Sequence, residues 1–593
     1  MALVLGVASN FLLALPSAHA RTPDGAEIES RSLLGAYLAG RHARGQNDSA
    51  AAAKLFRNAL ARDPGNDILL EQTFLMDVTE GNWSRATEMA KQLAASNEGS
   101  QNRVARLYLG LVEFKGKQWA KAEDHFKAAG SGPIGDLTSS LTRAWTRLAA
   151  GEADEALQLI EINKQAEWAQ FYLRYHRALI ADIGGRRGEA RTNYERIFKA
   201  DARTPRTALA FTHHAANSGD PKLAKTVLAE HMAKSSVDGH PMARALRDQL
   251  NGTDKVPLMI ETTDAGLAEV FYGLGEALTS EGGVAVGAVY LQLALFMQPD
   301  FPFALAALAN VHETTKRHDT AIGIYDRIPK GTPLSASIEI RKAINLNQLE
   351  RVDEAKSLLE SLAERDPNDI KPLDALGNIM RVRKRFDESI NYYSRAIALL
   401  PKPEKRHWSY WYSRGTSYER VKKWPLAEAD LLKAMQLAPD EPMILNYLGY
   451  SWIDQNRRLK EGMALIEKAV AMKPDDGYIV DSLGWAHFKQ GNFKDAVRFL
   501  ERAVELRPED PVLNDHLGDA LWRVGREREA KYQWEQSLML KPEPEDAEKV
   551  RKKLANGLAS LVVPKAVRTK QAKADAPPVS RKRADNRTGG TPQ

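Results

Sequence analysis

A small residue returns about every 34 positions along this 593-residue chain, with a second small residue about twelve places later. The clearest pairs are Gly415/Ala427, Gly449/Gly462, Gly484/Ala496 and Gly518/Ala530, and Pro439, Pro474, Pro508 and Pro542 close the units. A fixed period of this length marks stacked helix-turn-helix units, none of which buries its apolar face alone. The small columns let two helices approach closely, and large apolar residues at i and i+3 or i+4 fill the seam. Proline cannot continue a helix, so it marks the turn into the next unit. The expected fold class is therefore all-α, an α-solenoid.

Backwards from Gly415, the first column falls at Gly377, Ala343, Ala309 and Gly275, in steps of 34 apart from a four-residue insertion before Gly415. Ala178/Ala190, Ala144/Ala156 and Gly110/Ala122 continue it, with Thr212/Ala224, Phe74/Ala86 and Gly40/Ala52 as looser matches. The spacing breaks once, between Thr212 and Gly275. The intervening residues 235–264 hold Asp238-Gly239, His240-Pro241, Asn251-Gly252 and Pro257, which are turn and breaker signals around one short helix near Met242–Leu250. This segment reads either as a joint or as a degraded repeat. The expectation is about fourteen units in two arrays forming a superhelix, 21–234 and 265–542, joined by 235–264. A capping helix at 543–563 and a basic tail at 564–593 follow.

Met1–Ala20 has no Asp, Glu, Lys or Arg, and its apolar run Phe11–Leu15 leads to Ala18-His19-Ala20. That pattern predicts a signal peptide over 1–20 and a mature chain from near Arg21, although the basic n-region is missing. An uncleaved anchor and a misplaced start site are the alternatives. No cysteine is present, which excludes disulfides, thiol chemistry and an acylated-cysteine lipoprotein anchor. The formal net charge of +6 belongs to the tail, where eight basic residues from Lys565 to Arg587 face only Asp575 and Asp585. Such a tail either contacts an anionic surface or only solubilises the chain. An exported protein would not use it on nucleic acid.

The unit from Trp408 to Pro439 carries Trp411, Gly415, Tyr418, Ala427, Leu431, Ala434 and Pro439, and the next three read Leu448-Gly449, Leu483-Gly484 and Leu517-Gly518. This lettering resembles the tetratricopeptide repeat over roughly residues 33–542. The last hundred residues include Leu445-Asn446-Tyr447-Leu448-Gly449-Tyr450, Asp481-Ser482-Leu483-Gly484-Trp485 and His516-Leu517-Gly518-Asp519-Ala520-Leu521-Trp522. They are similar to proteobacterial envelope tetratricopeptide proteins, among them the adaptor of the periplasmic carboxy-terminal processing protease. The resemblance implies a chain without catalytic residues that captures the protease and substrates such as cell-wall hydrolases. It departs in anchorage, because that adaptor is a lipoprotein.

In such arrays the first helix of each unit is expected to line the concave face. Its inner stripe falls three before, one after and four after the glycine column. The last three units give Asn446, Tyr450 and Ile453; Asp481, Trp485 and Phe488; and Asp515, Asp519 and Trp522. An acidic and aromatic stripe suits an extended peptide with basic or apolar side chains. The competing reading seals these aromatics between neighbouring units. The column at Tyr412, Asn446, Asp481 and Asp515 has no basic residue, which disfavours a clamp for a terminal carboxylate. His213, His214, His231 and His240 lack ligand spacing and read as scattered surface residues, while His487 reads as packed. No catalytic residue, metal or cofactor is expected.

The leading reading is a non-enzymatic, exported, periplasmic scaffold or adaptor that binds other proteins, with a protease adaptor as its finer form. The alternatives are an envelope assembly or secretion factor for polysaccharide or outer-membrane protein, and a cytoplasmic scaffold.

Overall fold

The computed structural model describes residues 32–96, 102–162, 166–235, 239–253 and 256–558. The expected signal peptide and basic tail lie outside the described residues. Those described contain thirty α-helices and no strand: fourteen consecutive pairs and two unpaired helices, Pro241–Gly252 and Pro544–Asn556. No helix among them is long and apolar enough to cross a membrane.

Local chemistry sets each pair. Asp510 caps Pro511–Arg523 by accepting from the amides of Val512 and Leu513, and proline at its first turn is pre-set for a helix. The turn inside a pair needs a left-handed residue, supplied by Gly491 (φ 84°) or, at some strain, Lys422 (φ 61°). The small column is a contact requirement. A Cβ on Gly110 would meet Phe126 at 2.4 Å, and one on Gly518 would meet Trp534 at 2.5 Å.

The described residues form two compact units, divided between 362 and 363. The division falls within helix Val352–Arg365, not at 235–264. Two contacts explain the difference. Pro241–Gly252 packs its Ala243, Leu246 and Leu250 with Leu209, Ala224 and Leu228 of the preceding pair, so this helix continues the first unit. Helices Thr263–Ser280 and Val284–Met297 then pack back on Asp67–Thr79, Gly132–Ala149 and Glu167–Ile183. They share one apolar core running from Leu70 to Ile338. Val284–Met297 has no charged residue, and a helix apolar all round needs burial on every side, which it finds from Gly287 to Leu295.

Side chains fix this interior helix pair. Phe296 sits 5.0 Å from the Trp83 ring and 5.1 Å from that of Tyr108. Gln292 Nε2 donates to the Thr79 carbonyl at 2.7 Å, and Lys115 Nζ donates to that of Phe296 at 2.8 Å. Gly266 lies under Trp145, where a Cβ would come within 2.2 Å. The one charge buried here, Glu269, accepts from Tyr175 at 2.9 Å and pairs with Arg206. The Arg206 guanidinium stands 4.6 Å over the Phe303 ring. Arg317 Nη1 donates to the Asn47 carbonyl at 3.3 Å, tying the later repeats to the first.

The second unit has five complete pairs from Ile370–Val382 to Glu527–Met539, and Pro544–Asn556 lies on the last. Its apolar contacts form separate clusters at successive seams. Each repeat there packs on its neighbours, as a solenoid requires.

Candidate functional site

In the second unit, Gly477–Lys489 packs directly on Pro442–Asp454 and on Pro511–Arg523, the first helices of the repeats before and after it. First helices therefore line the inner side, and the stripe expected there falls into three groups.

The first group centres on Asp481, which is buried. His516 Nδ1 lies 3.0 Å from both of its carboxylate oxygens. The Trp485 ring is stacked between His516, at 4.1 Å, and Phe488, at 4.8 Å. Burial works to lower the pKa of His516. The charge and hydrogen bond of Asp481, with Asp515 and Asp519 behind it, more than offset that and hold it above the ordinary value.

In the second group, Lys553 from Pro544–Asn556 places Nζ 2.8 Å from both Asp515 and Asp519. Trp534 Nε1 donates to Asp519 at 3.0 Å. Burial still pushes Asp519 up to about 6: Lys553 lowers it and Asp515 raises it. Trp522 lies beside Trp534, and the chain turns over it at Gly557 (φ 69°), where a Cβ would meet the ring at 2.3 Å.

The third group, Asn446 and Tyr450, is half-buried on the preceding helix. Burial, then Asp454 and Asp481, raises the Tyr450 hydroxyl above its ordinary pKa. Two polar atoms of the stripe, Asn446 Oδ1 and Trp485 Nε1, are buried with no hydrogen-bond partner among the described residues. An acceptor and a donor are thus left unmatched in consecutive repeats. Towards residue 370, Tyr412 and Tyr447 meet edge to face at 5.7 Å, and Tyr447 donates to Glu419 at 3.1 Å. Asp374 is pushed up to about 6 by burial, against a hydrogen bond from Asn378 and the charge of Arg381.

Sequence reasoning placed these residues on first helices and gave no role to His516 or Lys553. His516 stands beside the Asp515 column, outside the inner positions. Lys553 lies on a helix beyond the ladder, so no column points to it. The histidines of the first unit depart from the surface expectation. His214 and His231 are buried; His214 Nδ1 lies 2.5 Å from Asp182, and His231 Nδ1 lies 2.8 Å from the Ala202 carbonyl. His213 meets the Pro257 carbonyl at 2.8 Å, and His240 stacks on Phe303. Each joins a different contact. No group of three or more metal-ligating side chains occurs among the described residues.

The tetratricopeptide repeat profile matches residues 37–72, 77–133 and 480–510. The chain contains tetratricopeptide repeats. A tetratricopeptide repeat-containing protein of Pseudomonas aeruginosa is 30% identical over 202 residues, spanning 33% of this chain and 32% of the relative. A chain of the crystal structure of the APC/C hetero-tetramer Cut9–Hcn1 aligns at a TM-score of 0.37 and 14% identity, over 88% of this chain and 96% of that one. Tetratricopeptide repeats stack into extended binding surfaces, so their presence here supports a protein-interaction scaffold.

Proposed function

We propose that this tetratricopeptide protein is a non-enzymatic scaffold whose second unit holds an extended partner segment along Asn446, Tyr450, Asp481 and Trp485. The observation behind this reading is the unmatched pair, Asn446 Oδ1 and Trp485 Nε1, on the first helices of consecutive repeats. Leaving such groups unpaired costs about 1–3 kcal/mol each. A peptide backbone offers the N–H and the carbonyl that would match them. Asp515, Asp519 and Trp522 are engaged with Lys553, Trp534 and Gly557, so they brace the end of the stripe.

The finer proposal is an exported, periplasmic adaptor presenting substrates to a protease, supported by the charge-free start and the small-x-small Ala18-His19-Ala20. Crosslinked pull-down from intact envelopes with mass spectrometry tests it. Recovery of a serine protease together with cell-wall hydrolases supports the adaptor, and secretion components alone would replace it with an assembly role. Cytoplasmic partners, with an N-terminus before Arg21, would overturn export.

A further inference from the structure

In the first unit, a cleft of about 570 Å³ lies between segment 158–162 and the helices Glu167–Ile183 and Arg187–Ala200. Arg174 and Arg177 reach it from the first helix and Arg196 from the second. They lie off the inner stripe, where Tyr175 meets Glu269. Arg177 is fully engaged: Nε lies 2.5 Å from Glu189, and Nη1 donates to the carbonyls of Leu157 and Ile160 at 2.6 and 3.1 Å. Arg174 and Arg196 have no hydrogen-bond or carboxylate partner among the described residues. Burial, then repulsion from Arg196 and Arg177, lowers the pKa of the half-buried Arg174. Glu189 is taken up by Arg177, so Arg174 and Arg196 face each other across the cleft without a paired carboxylate, and like charges gathered in this way concentrate at binding sites.

We propose that this cleft binds the carboxylate of an acidic peptide segment between Arg174 and Arg196. Planar guanidinium groups match carboxylate oxygens in pairs. Half-buried Ile162 supplies an apolar contact for a neighbouring side chain, which a free phosphate would leave bare. Glu161 at the rim and Glu189 on the floor repel a dianion more than a monoanion.

Fluorescence anisotropy on the full chain tests the site, with a short labelled peptide of alternating Glu and Leu and a second with Gln replacing Glu. The acidic peptide is expected to bind at least about tenfold more tightly than its Gln counterpart. The double variant Arg174→Gln with Arg196→Gln is expected to weaken that binding at least about tenfold while melting no lower than the parent. Lys222→Gln, on a separate surface, leaves binding unchanged. The difference between parent and double variant is the readout, so any binding by the basic residues of 564–593 cancels. Equal affinity of the two proteins, or no binding by either, overturns the proposal. Displacement of the peptide by inorganic phosphate, but not by chloride at the same ionic strength, overturns the carboxylate assignment.

Discussion

The inner side of the first unit meets Thr263–Ser280 and Val284–Met297, helices of the same chain packed into one continuous core. Among the described residues, the corresponding stripe of the second unit meets no such pair. Its residues are held by single side chains, with Lys553 bridging Asp515 and Asp519 and His516 facing Asp481. One repeat chemistry thus yields a filled interior and an open face. The difference rests on one segment: fourteen residues without a charge have no stable place in water, and the grooved side of the earlier repeats supplies an apolar one.

The strongest way to break this comparison is at the buried ion pair. Glu269→Ala leaves Arg206 buried without its partner and should destabilise the first unit by about 3–5 kcal/mol. Hydrogen exchange should then rise together in 67–79, 132–149, 167–183 and 263–297, because they share a core. A rise confined to 263–280 would refute the single core. Lys553→Ala leaves Asp515 and Asp519 facing each other and should cost about 1–3 kcal/mol in urea denaturation. Its exchange signature should stay within 511–556, as neighbour-only packing demands.

Trp485→Leu sharpens the contrast differently. It should cost about 1–3 kcal/mol of stability, through the lost stacking on His516 and Phe488, and weaken capture of a bound partner segment about tenfold, near 1.4 kcal/mol. Unchanged capture would remove the stripe from the binding surface. The smallest effect is on pH. Asp519, pushed up to about 6, holds its proton more tightly when folded, so its contribution rises as pH falls through about 6 and levels near the usual carboxylate range of about 4. His516, raised by Asp481, stabilises fully below the usual imidazole value of about 6.5 and loses that contribution as pH rises past its folded pKa. Both make the second unit less stable at pH 8 than at pH 5, by about 1 kcal/mol. His516→Gln should flatten the slope; an unchanged slope would place the titration elsewhere.

Much of this was legible in advance. The 34-residue ladder marks helix pairs, because Gly110, Gly377, Gly484 and Gly518 each stand against a bulky partner that excludes a Cβ. The stripe Asn446, Tyr450, Asp481 and Trp485 followed from helical spacing alone. The ladder records contacts between neighbours, so it carried no sign that Gln292 reaches Thr79 or that Lys553 reaches Asp515. The sign of the first lay in composition, in the charge-free Val284–Met297. Turn residues at 235–264 marked a local irregularity without showing which repeats pack on which. Arg174 and Arg196 converge from the two helices of one pair, a meeting that the small columns do not encode.

The filled interior also governs the order in which the molecule can be built. Gln292 bonds to a residue 213 positions earlier, and Arg317 to one 270 positions earlier. A ribosome therefore releases several early repeats before the segment that completes their core exists, and loops of that length close slowly. The second unit has no such wait, since each of its repeats finds its main partner in the one just before. Within one polypeptide, synthesis meets a late, all-or-none assembly first and a stepwise one afterwards.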